Sequence, residues 1–278
     1  MKFVFIADFF LDQIVGGGEI NNDELISILR GQGHEVITIN SNFVDSSYVD
    51  GHSDYNFIVA NFIGLSEASK EKLQENNYVI YEHDHKYLLS RNPAVYTDFK
   101  APKKDIINFE FYRKAKVVFC QSNFHKGIVE KNLGINNIIN LAGNLWPLKS
   151  LDLMKEISEK EKRKKCSVMD SNIPHKNTFD AARLCKVKNW DYDLISDNDY
   201  YMFLRKLGAN EKFIFLPKTP ETLSRVVVEA RMMGMTTITN QLIGATKEPW
   251  FGSKGKELIE IIREKRIKIP EQVVSAFE

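Results

Sequence analysis

Residues 212–239 read KFIFLPKTPETLSRVVVEARMMGMTTIT, a strand, a turn, a helix and a second strand in succession. Lys212–Leu216 is a short apolar run that stops at Pro217, because proline cannot donate to a sheet ladder. Glu221–Met233 reads as a helix, Gly234 ends it, and Thr236–Thr239 returns to a strand. Short buried strands joined through helices are the βαβ units of a parallel sheet.

The same alternation runs outward in both directions. Toward the N-terminus, strands are expected at residues 2–8, 34–39, 56–60, 78–81, 116–120 and 137–141, with helices at 19–29, 67–75 and 123–132. After a break at Gly143–Ser150, a charged helix is expected over Leu151–Lys165. Strands at 166–169 and 192–195 then alternate with helices at 178–185 and 199–207, and a helix at 255–266 follows the opening stretch. The expected fold is α/β, two Rossmann-like domains with parallel sheets facing a cleft. Residues 1–148 form the first, acceptor, domain and 149–268 the second, donor, domain. Residues 269–278 form a segment packing back on the first. Ligands of such folds bind outside the carboxyl ends of the strands.

Composition narrows the chemistry. Lys plus Arg is 38 against 37 for Asp plus Glu, which rules out a strongly basic protein whose affinity comes from phosphate neutralisation alone but leaves room for a local basic face. Cys120, Cys166 and Cys185 are odd in number and widely spaced, which offers neither a disulfide framework nor a zinc knuckle. The chain enters Lys2–Asp8 without a basic start or a cleavage site, and no apolar stretch approaches membrane-spanning length. The cytoplasm is the expected compartment.

Four clusters carry ionisable or phosphate-binding groups. At the expected start of the helix, Glu221, Thr222, Leu223 and Ser224 would offer free N–H groups to a diphosphate, with Glu229 about two turns deeper on nearly the same face. A salt-bridged surface helix is the competing reading of the two glutamates. The loop after Cys166–Met169 holds Asn172 and Lys176. The first strand is followed by Gly16-Gly17-Gly18-Glu19, glycines that let backbone approach a ligand closely. This run is neither G-x-G-x-x-G nor a P-loop, so neither NAD nor ATP is indicated. Finally, His83, Asp84 and His85 cluster after the strand at 78–81. If extended, His83 and His85 would share a face, but no further metal ligands are evident.

The stretch from Pro217 to Glu248 resembles the donor region of retaining GT-B glycosyltransferases of the family 4 type, whose signature is E-x7-E. The resemblance implies that Glu221 lies by the donor sugar and Glu229 on the nucleotide ribose. It further implies that Lys176 neutralises the diphosphate with Asn172 nearby, and that Gly16, Gly17, Gly18 and Glu19 lie against sugar and phosphates. It implies no catalytic metal and no cofactor beyond the donor itself. Asp84, His83 or His85 would position or deprotonate the acceptor hydroxyl, the family's single histidine being unassigned between the last two.

A compact, Asn- and Lys-rich chain of this form also resembles phage-encoded glycosyltransferases, some of which modify hydroxymethylated DNA bases; a host cytoplasm would then be its location. Lys100, Lys103, Lys104, Arg113, Lys114 and Lys116 beside Phe109, Phe111 and Tyr112, with the basic run 160–165, suit nucleic acid. A solvated helix face explains them equally. A GT-B epimerase and a non-catalytic nucleotide-sugar-binding protein are the alternative functions. No membrane insertion is expected, and the sequence leaves the oligomeric state open.

Overall fold

The computed structural model describes residues 1–278. The strands are β1 (Lys2–Ala7), β2 (Glu35–Asn40), β3 (Asn56–Val59), β4 (Tyr78–Tyr81), β5 (Val118–Cys120), β6 (Ile138–Asn140), β7 (Arg163–Met169), β8 (Tyr192–Ile195), β9 (Asn210–Phe215) and β10 (Thr236–Thr239). The helices are α1 (Gly17–Gly31), α2 (Ser46–Gly51), α3 (Glu67–Leu73), α4 (Phe109–Lys114), α5 (Asn123–Leu133), α6 (Leu148–Ser158), α7 (Thr178–Val187), α8 (Tyr200–Leu207), α9 (Arg225–Met232) and α10 (Gly255–Ser275).

The chain divides into two compact units, Met1–Leu145 with Lys265–Glu278, and Trp146–Glu264. The first holds a six-stranded sheet ordered β2-β1-β3-β4-β5-β6, the second a four-stranded sheet ordered β10-β9-β7-β8. Every pairing in both is parallel. The strand order reverses between β1 and β3 in one sheet and between β7 and β9 in the other. Those two reversals are where open parallel sheets leave a crevice at their carboxyl ends.

Side-chain alternation builds a core on each face of the first sheet. Val4, Ile6, Phe57 and Ile80 pack to one side, and Phe3, Phe5, Ile58 and Val79 to the other. All eight are fully buried, so the strands read as continuous apolar runs. In the second unit one core gathers Phe213, Phe215, Leu223, Val227 and Val228 with Leu258, Ile259 and Ile262 of α10. Later residues of the same helix, Ile269 and Val273, join the first unit's core with Phe277 beyond it. No helix is long and apolar enough to cross a membrane.

Several elements differ from the sequence expectation for identifiable reasons. The expected helix over 151–165 is α6, which ends at Ser158, because residues from Arg163 onward pair with β9. Arg163 and Lys165 both bind Asp193, at 2.7 and 3.1 Å, which ties the basic run to the neighbouring strand. The segments 255–266 and 270–278 join in α10. Pro270 sits inside that helix and removes one backbone donor, while burial of Ile269 and Val273 holds the helix together. Unit boundaries fall at 145/146 and 264/265, a few residues before 148/149 and 268/269.

Candidate active site

The second unit's switch point lies between β7 and β9, and the loops after these strands hold the residues singled out in the sequence. Lys176 Nζ donates to Glu221 Oε1 at 2.8 Å, an ion pair joining residues 45 positions apart. The backbone also joins the two loops: Lys218 N–H donates to the His175 carbonyl at 2.8 Å, and Asn177 Nδ2 to the Leu216 carbonyl at 2.7 Å. Asn172 is exposed on the same loop.

Glu221 is not helical. It bridges Ile243 in parallel fashion, with its N–H on the Leu242 carbonyl and its own carbonyl accepting from Gly244 N–H, at 2.8 and 2.9 Å. Leu223 continues the ladder by accepting from Ala245 N–H, and its side chain is fully buried. The helix therefore starts at Arg225, after Ser224 in a left-handed conformation with φ of 74°. The expected two-turn stack of Glu221 above Glu229 is replaced by one carboxylate in an extended segment before the helix and one inside it. Thr222, half-buried, lies between Glu221 and the helix start.

Glu229 is 3% exposed and closely held. Its Oε1 accepts from Trp146 Nε1 at 2.9 Å and from the Tyr200 hydroxyl at 2.7 Å. Arg225, one turn earlier, lies 3.8 Å from the same oxygen and 4.3 Å from the centre of the Trp146 ring. Burial, and then the Glu229 charge, raise the Tyr200 phenol well above its ordinary pKa, so it remains a donor. Sequence reasoning missed Trp146, Tyr200 and Arg225. Only the four-residue spacing of Arg225 and Glu229 carried a local signal. Ser224 Oγ, in a residue 5% exposed, has no hydrogen-bond partner. A buried, unpaired hydroxyl at a helix N-terminus is a donor unused within the protein.

In the first unit the loops after β1, β3 and β4 converge. Asp8 accepts from Ser41 Oγ and from the N–H groups of Ile63 and Gly64, at 3.1 and 3.0 Å for the latter two. Gly16 is the N-cap of α1, Gly17 and Gly18 begin the helix, and Glu19 lies in its first turn. The segment 82–86 is not extended, so His83 and His85 turn to different partners. His83 Nε2 meets Asn22 Oδ1 and its Nδ1 meets Gln121 Nε2, both at 2.6 Å. His85 is 3% exposed, with Nδ1 on the Tyr87 hydroxyl at 2.9 Å, and burial lowers it to a pKa of about 4.

Asp84 accepts from Lys86 Nζ at 2.6 Å and from Arg91. Burial alone would raise its pKa, but Lys86 and then Arg91 outweigh burial and hold it well below the carboxylate range. Lys86 is itself buried and also reaches Glu82 Oε1 at 2.7 Å and Asn61 Oδ1 at 3.2 Å, which uses all three ammonium protons. Tyr112 donates to the other Glu82 oxygen, and burial raises the Glu82 pKa despite the lysine.

The basic and aromatic cluster after residue 99 separates in space. Phe111 and Tyr112 are core residues, Phe111 stacking on Tyr78 with centroids 4.9 Å apart. Arg113 pairs with Glu110, while Lys100, Lys103, Lys104, Lys114 and Lys116 stay exposed and Phe109 is 39% exposed.

No family profile and no curated protein matches the sequence. Solved structures do match along almost the whole chain. The catalytic domain of starch synthase IV from Arabidopsis thaliana, bound to ADP and acarbose, has a TM-score of 0.62 at 10% identity, covering 97% of this chain and 92% of that one. Anabaena HepE in complex with UDP and glucose gives 0.58 at 12% identity, covering 99% and 92%. An alpha-glucosyltransferase in complex with UDP and a 13-mer DNA containing an HMU base gives 0.50 at 12% identity, covering 98% and 94%. The fold is GT-B. The two parallel sheets expected from the strand and helix alternation are those of that fold. At such identities the likeness extends to architecture and no further.

Proposed function

We propose that this GT-B chain is a glycosyltransferase, moving a sugar from a nucleotide-sugar donor to a hydroxyl acceptor with retention and without a catalytic metal. The observation carrying this reading is the second unit's switch point. There Lys176 pairs with Glu221, and three residues later Ser224, the N-cap of α9, carries a buried, unpaired hydroxyl. A cation, a helix dipole and an unused donor are what a diphosphate needs. When the diphosphate arrives, Lys176 turns to it, and Glu221 is freed to accept from hydroxyls of the sugar. Glu229, already fixed by Trp146 and Tyr200, takes the ribose side. The three neighbours are solved with UDP or ADP, which accords with this assignment.

Thermal unfolding against a panel of UDP-, ADP-, GDP- and CMP-sugars tests the donor. A ligand at 100 times its Kd stabilises the fold by about 2.7 kcal/mol. One donor should raise Tm in wild type and far less in Lys176→Ala. A flat response across the panel removes the reading.

For the acceptor we propose a hydroxymethylated base in DNA, with the enzyme working in the cytoplasm, a host's if the chain is phage-encoded. The support is the DNA-bound alpha-glucosyltransferase among the neighbours, together with Lys100, Lys103 and Lys104, which are exposed and make no ion pair. With Phe111 and Tyr112 in the core, those lysines act as phosphate contacts without a stacking platform. Binding of a duplex should weaken as salt rises, with a log–log slope of about −0.9 per phosphate contact. Binding that ignores salt, or none at all, overturns the acceptor assignment and leaves the donor assignment standing.

A further inference from the structure

The two oxygens of Glu229 are used unequally. The Trp146 indole N–H, the Tyr200 hydroxyl and Arg225 Nε stand 2.9, 2.7 and 3.8 Å from Oε1, so all three meet the same oxygen. The first two distances are hydrogen bonds and the third is longer than one. Both hydrogen-bond donors come from outside α9: Trp146 lies just before α6, and Tyr200 is the first residue of α8. All four residues belong to the second unit.

An indole N–H can only donate. The Tyr200 phenol is kept a donor as well, because burial and the charge of Glu229 both oppose its ionisation. Trp146 is fully buried, with the Arg225 guanidinium over its ring, so the indole has no room to turn away. Two donors from separate elements on one oxygen fix the plane of the carboxylate as well as its place. The lone pairs of Oε2 are then left to a ligand.

We infer that Trp146 and Tyr200 are positioning residues that act through Glu229, presenting its Oε2 to the ribose so that the site takes ribonucleotides and rejects their deoxy counterparts; this rests on the donor reading. A ribose hydroxyl meets a carboxylate oxygen already in place and pays no reorganisation to bond it. A nucleotide without that hydroxyl leaves a buried carboxylate oxygen unpaired, and sites built around a hydroxyl discriminate strongly against its absence for that reason. Without the Tyr200 or Trp146 donor, Glu229 is free to close the 3.8 Å gap to Arg225, and Oε2 is no longer held toward the ribose.

Calorimetric titration with UDP, ADP and GDP, and with the 2′-deoxy and 3′-deoxy form of each, reads the discrimination as a ratio of Kd values. Wild type should bind one ribonucleotide roughly 10- to 100-fold more tightly than at least one of its deoxy forms. Tyr200→Phe and Trp146→Phe each remove one donor and keep an aromatic ring. Each should cut that ratio several-fold, chiefly by weakening the ribonucleotide, and the double variant should bring it close to unity. Tyr200 is only half-buried, so its variant decides the matter even where Trp146→Phe fails to fold. Tyr201→Phe, the next residue of α8, whose ring centre lies 4.7 Å from Lys149 Nζ, should leave the ratio alone. Thermal unfolding of each variant separates packing from positioning. A role in packing alone lowers Tm and weakens ribo and deoxy binding equally, so a wild-type ratio in Tyr200→Phe overturns the inference whatever its Tm. A wild type that binds a ribonucleotide and its deoxy forms alike overturns it too, and leaves the donor reading standing. A wild type that binds none of the three ribonucleotides removes the donor reading and this inference with it.

Discussion

The loops at the carboxyl ends of the two sheets handle charge in opposite ways. In the first unit Glu82, Asp84, Lys86 and Arg91 satisfy one another, with Lys86 using all its protons inside the protein. In the second unit Lys176 and Glu221 make one part-exposed pair, and Ser224 Oγ, three residues further along the chain, bonds to nothing. Fixed charges shape a surface without changing it. Lightly held charges beside an unused donor can be redirected by a ligand at little cost. The difference separates a network that holds Asp84 in place from a pair whose charges stay part-accessible.

The largest effect should come from breaking the first-unit network. Lys86→Met leaves the fully buried Glu82 without its cation, and removing one partner of a buried pair costs about 3–5 kcal/mol. Chemical denaturation of the variant should show that loss in the midpoint. Glu82→Gln combined with Lys86→Met should recover part of it, since a neutral amide tolerates burial better than an orphaned carboxylate. An unchanged midpoint in the single variant would mean that the network is solvated and that the contrast between the two regions is unreal.

Much of this arrangement was legible in the sequence, in proportion to how local its causes are. Apolar runs separated by helices reveal two parallel sheets because burial on both faces leaves its mark within a few residues, as in Phe3–Ala7 and Phe213–Phe215. Lys176, Glu221 and Glu229 were singled out by their places after strands. The conformation of Glu221 was not readable, because it comes from pairing with Ile243 across a distant loop, and no local period records that. His83 and His85 looked alike for the same reason, and only the partners Asn22, Gln121 and Tyr87 tell them apart. The aromatic cluster misled because α4 is six residues long, too short for a hydrophobic period to show that Phe111 and Tyr112 face inward.

A smaller effect should come from the charge left available in the second unit. If Lys176 turns to the diphosphate as proposed, Lys176→Ala removes a charge-assisted contact worth about 1.5–3 kcal/mol, and donor affinity should fall by roughly 10- to 100-fold. Stability without ligand should fall less than in Lys86→Met, because this pair is part-exposed where that network is fully buried. Lys176→Arg should recover part of the affinity. Calorimetric titration with the donor found in the thermal panel reads both. A large loss of apo stability would place Lys176 with the fixed charges instead.

The smallest effect tests the contrast most directly, because its two readouts should move in opposite directions. Ser224 Oγ is buried with no partner, so Ser224→Ala removes an unsatisfied polar group and should leave the ligand-free protein as stable or slightly more so. The left-handed backbone strain is common to serine and alanine and so leaves that gain intact. If the hydroxyl is held in reserve for a phosphate oxygen, the same variant should bind donor several-fold more weakly, by about 0.5–1.5 kcal/mol. A hydroxyl with a merely structural role would instead lower stability and leave affinity alone. Equal and unchanged values of both would mean that the α9 N-terminus binds its anion, if any, through backbone N–H groups only.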